Sequence, residues 1–232
     1  MRVVCVSDLH IAGPGCPRQA AFLTFLTELS CDRLCLVGDV FQHWWHWGAR
    51  PFDQYLPVVE ALARFQLTVL PGNHDFRAPA FFAALGAEVP GPDGVVRTRW
   101  DGCDVVLAHG DQADRNLRYR LACGVLRGRA FSALVDRMEA DTAWAFLGRL
   151  TGHGEVRPDP RLIELQRAWA LDQAGEIVIF GHTHAPLVTR IGARTLVNIG
   201  DGVSHHTYVE FDSSSLGGVQ LREFASPLQD RA

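Results

Sequence analysis

The sequence contains no lysine. All 22 of its permanently cationic side chains are arginines, set among 232 residues with 26 acidic side chains and a net charge of −4. Because there is no general excess of positive charge, we do not expect the protein to bind duplex nucleic acid through a broad basic surface. A phosphate group recognised through permanent positive charge must be met by arginine, whose planar fork of donors suits phosphate oxygens.

The sequence also lacks an apolar run long enough to cross a bilayer, and no basic region precedes the first short apolar segment. These absences predict a cytoplasmic protein without a signal peptide or a spanning helix. The six cysteines form no paired CxxC pattern and no dense framework of the secreted kind. Cys5 and Cys35 lie inside apolar runs that indicate buried strands, so we expect reduced thiols.

Short apolar runs alternate with helical patterns over most of the chain. The runs that indicate buried strands are residues 2–7, 34–37, 67–70, 105–108 and 177–180. Helices are predicted at residues 18–29, 53–65 and 79–85, and the meander of a second sheet is predicted at 195–199, 207–211 and 219–224. This alternation predicts a layered α/β fold, with residues 1–232 forming a single domain.

Residues 112–173 break the alternation because they contain no good strand pattern. Apolar residues recur there at spacings of three and four, as in Leu117, Leu121 and Val125, which predicts amphipathic helices, and a further helix is predicted at 161–171. Two compatible hypotheses describe this helical insertion. It is an ordinary subdomain packed on the rest of the fold, or it is a lid over an active site that accepts an apolar part of the substrate.

Each of the five predicted strands ends in a polar cluster. The clusters are Asp8-Leu9-His10, Gly38-Asp39, Gly72-Asn73-His74-Asp75, His109-Gly110-Asp111 and Gly181-His182-Thr183-His184. Because the carboxyl ends of strands in a parallel-type sheet share one edge, these clusters are expected to converge there. Any one of them is ordinary turn chemistry, but all five in register, with three separate histidine clusters, indicate a metal site.

The side chains in these clusters are carboxylates, imidazoles and an amide, with no thiolate. Such ligands suit Mn, Fe, Zn or Mg in a hydrolytic site better than a structural zinc. Two ions about 3.5–4 Å apart can clamp the attacking and leaving oxygens of a phosphate displacement, and a shared carboxylate must hold them that close. Asp39 stands alone after its strand and is the natural candidate for that bridge.

In this order and spacing, the motifs DxH, GD, GNHD, HGD and GHTH resemble the signature of calcineurin-like metallophosphoesterases. The following Asn198-Ile199-Gly200 is similar to the strand and turn that close the site in that family. The resemblance implies a β-sandwich of two sheets flanked by helices, with the helical insertion added to it. It also implies a metal-dependent hydrolase of phosphoric esters or pyrophosphates that uses two divalent ions.

The resemblance further implies two ion sites that share one carboxylate. The first set of ligands is Asp8, His10, Asp39 and His184, and the second is Asp39, Asn73, His109 and His182. His74 would face the substrate, where it stabilises developing charge or protonates the leaving oxygen. Asp75 would orient His74 and raise its pKa.

Three features resemble the UDP-2,3-diacylglucosamine diphosphatases in particular. They are the SDLH opening, the segment Gly38-Asp39-Val40-Phe41 followed by His43-Trp44-Trp45-His46-Trp47, and the insertion between HGD and GHTH. This resemblance implies a nucleotide-linked lipid substrate, hydrolysed to UMP and 2,3-diacylglucosamine 1-phosphate in lipid A synthesis. It also implies manganese as the ion, an acyl-binding lid and peripheral contact with the cytoplasmic face of the inner membrane.

Other hypotheses remain open at this point. The GNHD form of the motif, with His74, is shared with unrelated phosphoesterases, which favours a soluble enzyme acting on a small nucleotide, a dinucleotide or a phosphoprotein. A catalytically idle binding module would have lost some of the ligand positions, and none is lost here.

Two surface segments each have two interpretations. Trp44, Trp45 and Trp47 pack against the insertion, or they face a membrane or a lipid entry point. The candidate substrate-binding residues are Arg115, Asn116 and Arg118. In the alternative interpretation, the arginines of this region form the solvated face of an amphipathic helix.

Overall fold

The computed structural model describes residues 1–151, 158–214 and 218–224. The strands in these residues are β1 (Arg2–Val6), β2 (Arg33–Val37), β3 (His46–Trp47), β4 (Arg50–Pro51), β5 (Leu67–Leu70), β6 (Val95–Trp100), β7 (Cys103–Ala108), β8 (Ile177–Phe180), β9 (Leu187–Ile191), β10 (Arg194–Asn198), β11 (Thr207–Asp212) and β12 (Val219–Glu223). The helices are α1 (Pro17–Glu28), α2 (Leu56–Leu62), α3 (Ala78–Ala84), α4 (Leu117–Leu126), α5 (Arg129–Val135), α6 (Ala140–Thr151) and α7 (Pro160–Leu171).

Ten of the strands form two mixed sheets. The first sheet has the order β12-β11-β1-β2-β5, in which β1, β2 and β5 are parallel. The second has the order β6-β7-β8-β10-β9, in which β7, β8 and β10 are parallel. Side chains from both sheets, including Cys5, Val37, Leu107 and Ile179, are fully buried in one apolar cluster between them. The fold is therefore a β-sandwich whose inner layer is formed by buried apolar side chains of both sheets.

Helices cover the outer face of each sheet. Phe22 and Leu26 of α1 and Val58 of α2 join Leu36 of β2 in the cluster outside the first sheet. Ala170 of α7 packs with Val178 and Leu196 outside the second sheet. Burying a valine or leucine side chain contributes about 1.5–3 kcal/mol, so these two outer layers add substantially to the inner core.

The four helices α4 to α7 lie between β7 and β8 and differ in how they pack. Val135 of α5 and Ala143 and Leu147 of α6 are buried against the outer cluster of the first sheet. By contrast, α4 has no buried residue. No helix in the described ranges is long and apolar enough to cross a membrane.

The five strand predictions from apolar runs are confirmed to within two residues. The predicted meander of a second sheet is wrong, because β11 and β12 belong to the first sheet, where β11 runs antiparallel to β1. Only β10 joins β8. β6 and β9, which are edge strands, were not predicted because neither is a continuous buried apolar run. β6 includes the exposed Arg97 and Arg99, and β9 has no buried residue.

The tryptophan-rich segment after β2 is mostly buried. Trp44 and Trp45 are each 1% exposed. Trp44 packs on Phe41 and Phe82, and Trp45 meets Phe131 of the insertion at 6.2 Å between ring centroids. Packing against the insertion is therefore confirmed for Trp45, whereas the rings around Trp44 lie outside the insertion, and the burial of both residues contradicts a membrane-facing role for them. Trp47 is only partly buried, and its ring lies 5.3 Å from that of Phe52.

All six cysteines are free thiols, with Cys5 and Cys35 buried side by side on β1 and β2. The expectation of reduced cysteines agrees with this arrangement.

Candidate metal centre

The loops that follow the six parallel strands meet at one edge of the sandwich. Backbone hydrogen bonds tie them together: the Asp8 amide donates to the Gly38 carbonyl at 3.1 Å, and the Gly181 amide donates to the His109 carbonyl at 2.9 Å. The Gly202 amide donates to the Asp8 carbonyl at 3.1 Å, which joins the end of β10 to the end of β1. The convergence expected from the sequence is therefore present, with the clusters supplied by two abutting sheets instead of one.

Five polar residues of these loops have a left-handed backbone. Their φ angles are 54° for Asp8, 46° for His10, 52° for Asp39, 72° for His182 and 51° for His184. Residues other than glycine seldom adopt this conformation, which costs free energy and is found most often at functional sites. Here it turns successive side chains of each loop toward the same point.

The first group of side chains surrounds the ends of β1 and β8. Nε2 of His184 lies 3.3 Å from Oδ1 of Asp8 and 3.4 Å from Nε2 of His10. His10 Nε2 in turn lies 3.9 Å from Oδ2 of Asp39. All four side chains are almost fully buried.

The second group lies on the other side of Asp39. Nε2 of His109 is 3.5 Å from Asp39 Oδ2 and 3.2 Å from Asn73 Oδ1. The ring of His182 packs against that of His109, with centroids 5.1 Å apart. Asp39 thus lies between the two groups and contacts both, and its role as a bridge between two ions stays a prediction.

The donor set fits divalent cations. Three overlapping groups, Asp8 with His10 and His184, His10 with Asp39 and His74, and Asp8 with Asp39 and His109, each bring their ligand atoms within 4.8 Å of one another. Asp8 Oδ1 and His182 Nε2 are buried and make no hydrogen bond to any described residue. Buried polar atoms are normally satisfied, so two unpaired acceptors facing the same cluster are consistent with cation ligands.

Neighbouring groups fix the direction of these ligands. The carboxylate of Asp8 accepts hydrogen bonds from the Ser7 hydroxyl and, at 2.9 Å, from the His182 amide. Nδ1 of His109 lies 3.0 Å from the carbonyl of Val37, and because a carbonyl can only accept, Nδ1 carries the proton. Nε2 is therefore the ring atom that faces Asp39 and Asn73, and in the neutral ring its lone pair would be available to bind a cation there.

The role predicted for Asp75 is wrong in its detail. Its carboxylate accepts hydrogen bonds from the backbone amides of Gly72, Asp39, Val40 and Phe41, at 2.9–3.2 Å. The His74 ring is oriented instead by the carbonyl of Gln42, which lies 2.9 Å from Nδ1. The sequence could not distinguish these cases, because a carboxylate beside a histidine serves either the ring or the surrounding backbone.

Asp201 is a buried carboxylate of the site that the sequence analysis missed. Its Oδ2 lies 3.4 Å from Nδ1 of His184 and 2.9 Å from Nδ1 of His205, and the residue is 1% exposed. Asp201 follows Asn198-Ile199-Gly200 directly, so its place after a matched strand and turn was the available signal.

Charge complementarity shapes the pKa values. Burial lowers the pKa of His10 to about 4. Burial would also lower the pKa of His184, but the nearby carboxylates of Asp201 and Asp8 outweigh it and raise that pKa to about 10. Burial would raise the pKa of Asp39, yet His109 and His74 hold it well below the ordinary value. The bridging carboxylate is therefore ionised at neutral pH, the form that binds cations.

The three candidate substrate-binding residues lie at the start of α4. Asn116 caps this helix, because its Oδ1 accepts the backbone amides of Arg118 and Tyr119 at 3.0 and 3.4 Å. Arg115 and Arg118 are exposed. Arg115 lines an open hollow of about 560 Å³ that also includes Asp111 and Arg127. The structure thus explains Asn116 through the helix, and leaves the two arginines directed to solvent.

A β-sandwich whose parallel strands end in a shared cluster of carboxylates and imidazoles defines a metal-dependent phosphoester hydrolase. The chain belongs to the calcineurin-like phosphoesterase family, whose family model matches residues 1–186. The family expected from the motifs is therefore confirmed.

Two curated relatives are similar over most of their length. The UDP-2,3-diacylglucosamine hydrolase of Sodalis glossinidius (strain morsitans) is 25% identical over 247 residues, covering 97% of this chain and 99% of the relative. The enzyme of the same name from Blochmanniella floridana is 24% identical over 207 residues, covering 82% and 83%.

Solved structures support the fold. An archaeal phosphodiesterase superposes with a TM-score of 0.50 at 11% identity, covering 96% of this chain and 99% of that one. A hypothetical protein from Pyrococcus horikoshii OT3 also gives 0.50, at 13% identity, covering 99% and 91%.

Proposed function

We propose that this protein hydrolyses the pyrophosphate bond of UDP-2,3-diacylglucosamine to UMP and 2,3-diacylglucosamine 1-phosphate. Two relatives, matched over 99% and 83% of their own length, carry the name UDP-2,3-diacylglucosamine hydrolase. The observation that carries the lipid part of the proposal is an exposed apolar stripe on α4. Leu117, Leu121 and Val125 are 68%, 62% and 67% exposed and lie four residues apart, on one side of the helix.

Helix α4 lies beside the metal centre, because the ring centroid of Tyr119 is 6.0 Å from that of His182. The stripe is on the opposite, solvent-facing side of this helix from Tyr119. An exposed apolar surface on a helix that contacts a catalytic centre is costly in water and fits acyl chains that extend past that centre. The same stripe would favour peripheral contact with the inner membrane, where a diacylated substrate resides.

In this proposal, two divalent ions, with manganese the expected species, occupy the two groups that share Asp39. The ligands are Asp8, His10, Asp39 and His184 for the first ion, and Asp39, Asn73, His109 and His182 for the second. When bound, such ions supply positive charge to the phosphate oxygens and lower the pKa of a water molecule.

The remaining chemistry falls to the protein. His74 is held at Nδ1 by the Gln42 carbonyl, and its backbone amide donates to Asp39 Oδ1 at 2.8 Å. The ring is therefore fixed beside the Asp39 carboxylate, and in its imidazolium form, with Nδ1 donating to the Gln42 carbonyl, Nε2 can donate a hydrogen bond to a phosphate oxygen or a proton to the leaving group. Asp75 acts indirectly by holding the backbone of the Asp39 and Asn73 loops together. Arg115 and Arg118 are placed to attract the negative charge of the nucleotide.

The direct test is to incubate the purified protein with manganese and UDP-2,3-diacylglucosamine in detergent micelles and to follow UMP release. The His10→Ala variant, which lacks one proposed ligand, is the control. We expect release by the parent and its loss in the variant. If only a small chromogenic phosphodiester is cleaved, in a His10-dependent way, the two-ion site stands and the substrate is instead a small nucleotide, a dinucleotide or a phosphoprotein.

A further inference from the structure

Charged contacts hold both ends of α5 to the loop that carries Asn73, His74 and Asp75. At the end of α5, Oδ1 of Asp136 accepts hydrogen bonds from the Trp45 indole at 2.7 Å and from Nη1 of Arg77 at 3.1 Å. The guanidinium of Arg77 also stacks over the Trp45 ring, 3.9 Å from its centroid. Arg77 is three residues beyond His74, so this contact reaches from the insertion to the catalytic loop.

A second contact is made just before α5. Nη2 of Arg127 donates to the Gly72 carbonyl at 3.4 Å and to Oδ2 of Asp111 at 3.0 Å. Gly72 precedes Asn73, and Asp111 follows His109 by two residues. An arginine of the insertion therefore contacts two ligand-bearing loops, and an arginine of one of those loops contacts the insertion.

These contacts matter because α4 is held less firmly than the helices that follow it. No residue of α4 is buried, and its contact with the site is made by the partly buried Tyr119, whereas α5 and α6 are anchored by Val135, Ala143 and Leu147. The position of α4 relative to the metal centre thus depends on Tyr119 together with α5 and the two contacts at its ends.

We propose that Asp136, Arg77 and Trp45 form a clamp that sets the distance between the α4 stripe and the catalytic loop, and so determines selectivity for acylated substrates. This inference rests on the proposed function. Asp136 is a positioning residue: it is remote from the reacting atoms and acts through Arg77 and Trp45. Replacing it with alanine leaves the buried indole N–H of Trp45 without its acceptor, which favours displacement of α5.

The test compares Asp136→Ala with Glu139→Ala. Glu139 lies in the same segment, is also exposed, and forms no ion pair with any residue that the structure describes. For Asp136→Ala we expect KM for UDP-2,3-diacylglucosamine to rise roughly tenfold, the effect of losing charge-assisted hydrogen bonds. Its kcat/KM for bis(p-nitrophenyl) phosphate should stay within about twofold of the parent, because the metal ligands keep their contacts. Asp136→Asn, which retains an acceptor oxygen, should recover most of the loss.

Hydrogen exchange separates this inference from the proposed function. In Asp136→Ala, amides of residues 117–135 should exchange faster than in the parent and in Glu139→Ala. If the parent does not cleave the acylated substrate, the proposed function fails, and faster exchange limited to Asp136→Ala still supports the clamp. Unchanged exchange, or equal losses on both substrates, would overturn it.

Discussion

At the scale of single residues, the metal centre depends on two buried carboxylates that contact the candidate ligands or their backbone: Asp75 and Asp201. Asp75 satisfies four backbone amides of two ligand loops. Asp201 lies behind His184, with Oδ2 3.4 Å from Nδ1, while its Oδ1 accepts the amides of Val203 and His205 at 2.7 and 3.1 Å. Such residues fix the direction of a ligand, and replacing them typically weakens metal binding by about 10–100-fold.

Replacing Asp201 with asparagine should weaken metal binding without unfolding the protein. The Asn side-chain oxygen can keep the backbone contacts, but its NH₂ group would face Nδ1 of His184 and of His205. An NH₂ group cannot accept the Nδ1 proton, so the favoured tautomer of His184 would place its proton on Nε2, the atom expected to bind the ion. We expect manganese affinity to fall by about 10–100-fold.

A competition titration with a metal-binding dye would measure that loss, and thermal unfolding would monitor the fold. His205→Ala is the matched control, because it removes the other imidazole partner of Asp201 and leaves His184 paired. Equal affinity in the parent and Asp201→Asn would show that the carboxylate does not direct His184.

The sequence predicted where the candidate ligands lie better than it predicted the contacts of their side chains, and their binding of ions stays a prediction. Asp8, His10, Asp39, Asn73, His109, His182 and His184 all lie at the strand ends where the motifs placed them. Their identity is visible because carboxylates and imidazoles follow apolar runs. The partners of Asp75, His74 and Asp201 are set by the tertiary path of the backbone, which no local pattern records.

At the scale of elements, the two sheets approach so closely at the metal edge that some loop positions have no room for a side chain. A Cβ on Gly181, at the end of β8, would overlap Ser7 Oγ and Asp8 Oδ2 beyond the end of β1. Glycine there is required by close approach, and the contact fixes where one sheet meets the other.

Gly181→Ala should therefore displace the Asp8 carboxylate and reduce kcat/KM by at least about 100-fold, the typical effect of a misplacement near 1 Å. The control is Gly124→Ala on α4, where no atom lies within 4 Å of the added Cβ. That control should keep full activity on a small phosphodiester and gain up to about 1 kcal/mol in helix stability. Full activity in Gly181→Ala would mean that the strand end can shift without disturbing Asp8.

Strands whose two faces are both buried were predicted correctly from the sequence. The edge strand β6 was missed, and β11 was assigned to the wrong sheet. β1, β2, β5, β7 and β8 are fully or almost fully buried, so their apolar runs are continuous. β6 includes exposed Arg97 and Arg99, and β11 returns to pair with β1 across more than 200 residues of sequence. A pairing of that range is a property of the assembled sandwich, and a window of neighbouring residues contains no signal for it.

At the scale of the whole molecule, a polar cluster of candidate metal ligands and a helix with an exposed apolar stripe are neighbours. The metal edge concentrates carboxylates and imidazoles in a buried cluster, while α4, which contacts this edge through Tyr119, presents leucine and valine to solvent on its other side. A substrate with a diphosphate at one end and acyl chains at the other would contact both. The insertion is helical as predicted, since α4 to α7 lie between β7 and β8. The assignment of residues 1–232 to a single domain stays a prediction.

Leu121→Gln should identify the acyl-binding surface. If the stripe contacts acyl chains, replacing one exposed leucine removes part of a burial worth about 1.5–3 kcal/mol, so KM for UDP-2,3-diacylglucosamine should rise by about tenfold. The rate on a small phosphodiester should not change, because the substitution leaves the metal ligands in place. Leu85→Gln is the matched control, since Leu85 is also 62% exposed but lies at the end of α3, outside the insertion. Equal KM values for the parent and both variants would remove the lipid from the proposal, while a rise for Leu121→Gln alone would place the acyl chains on α4.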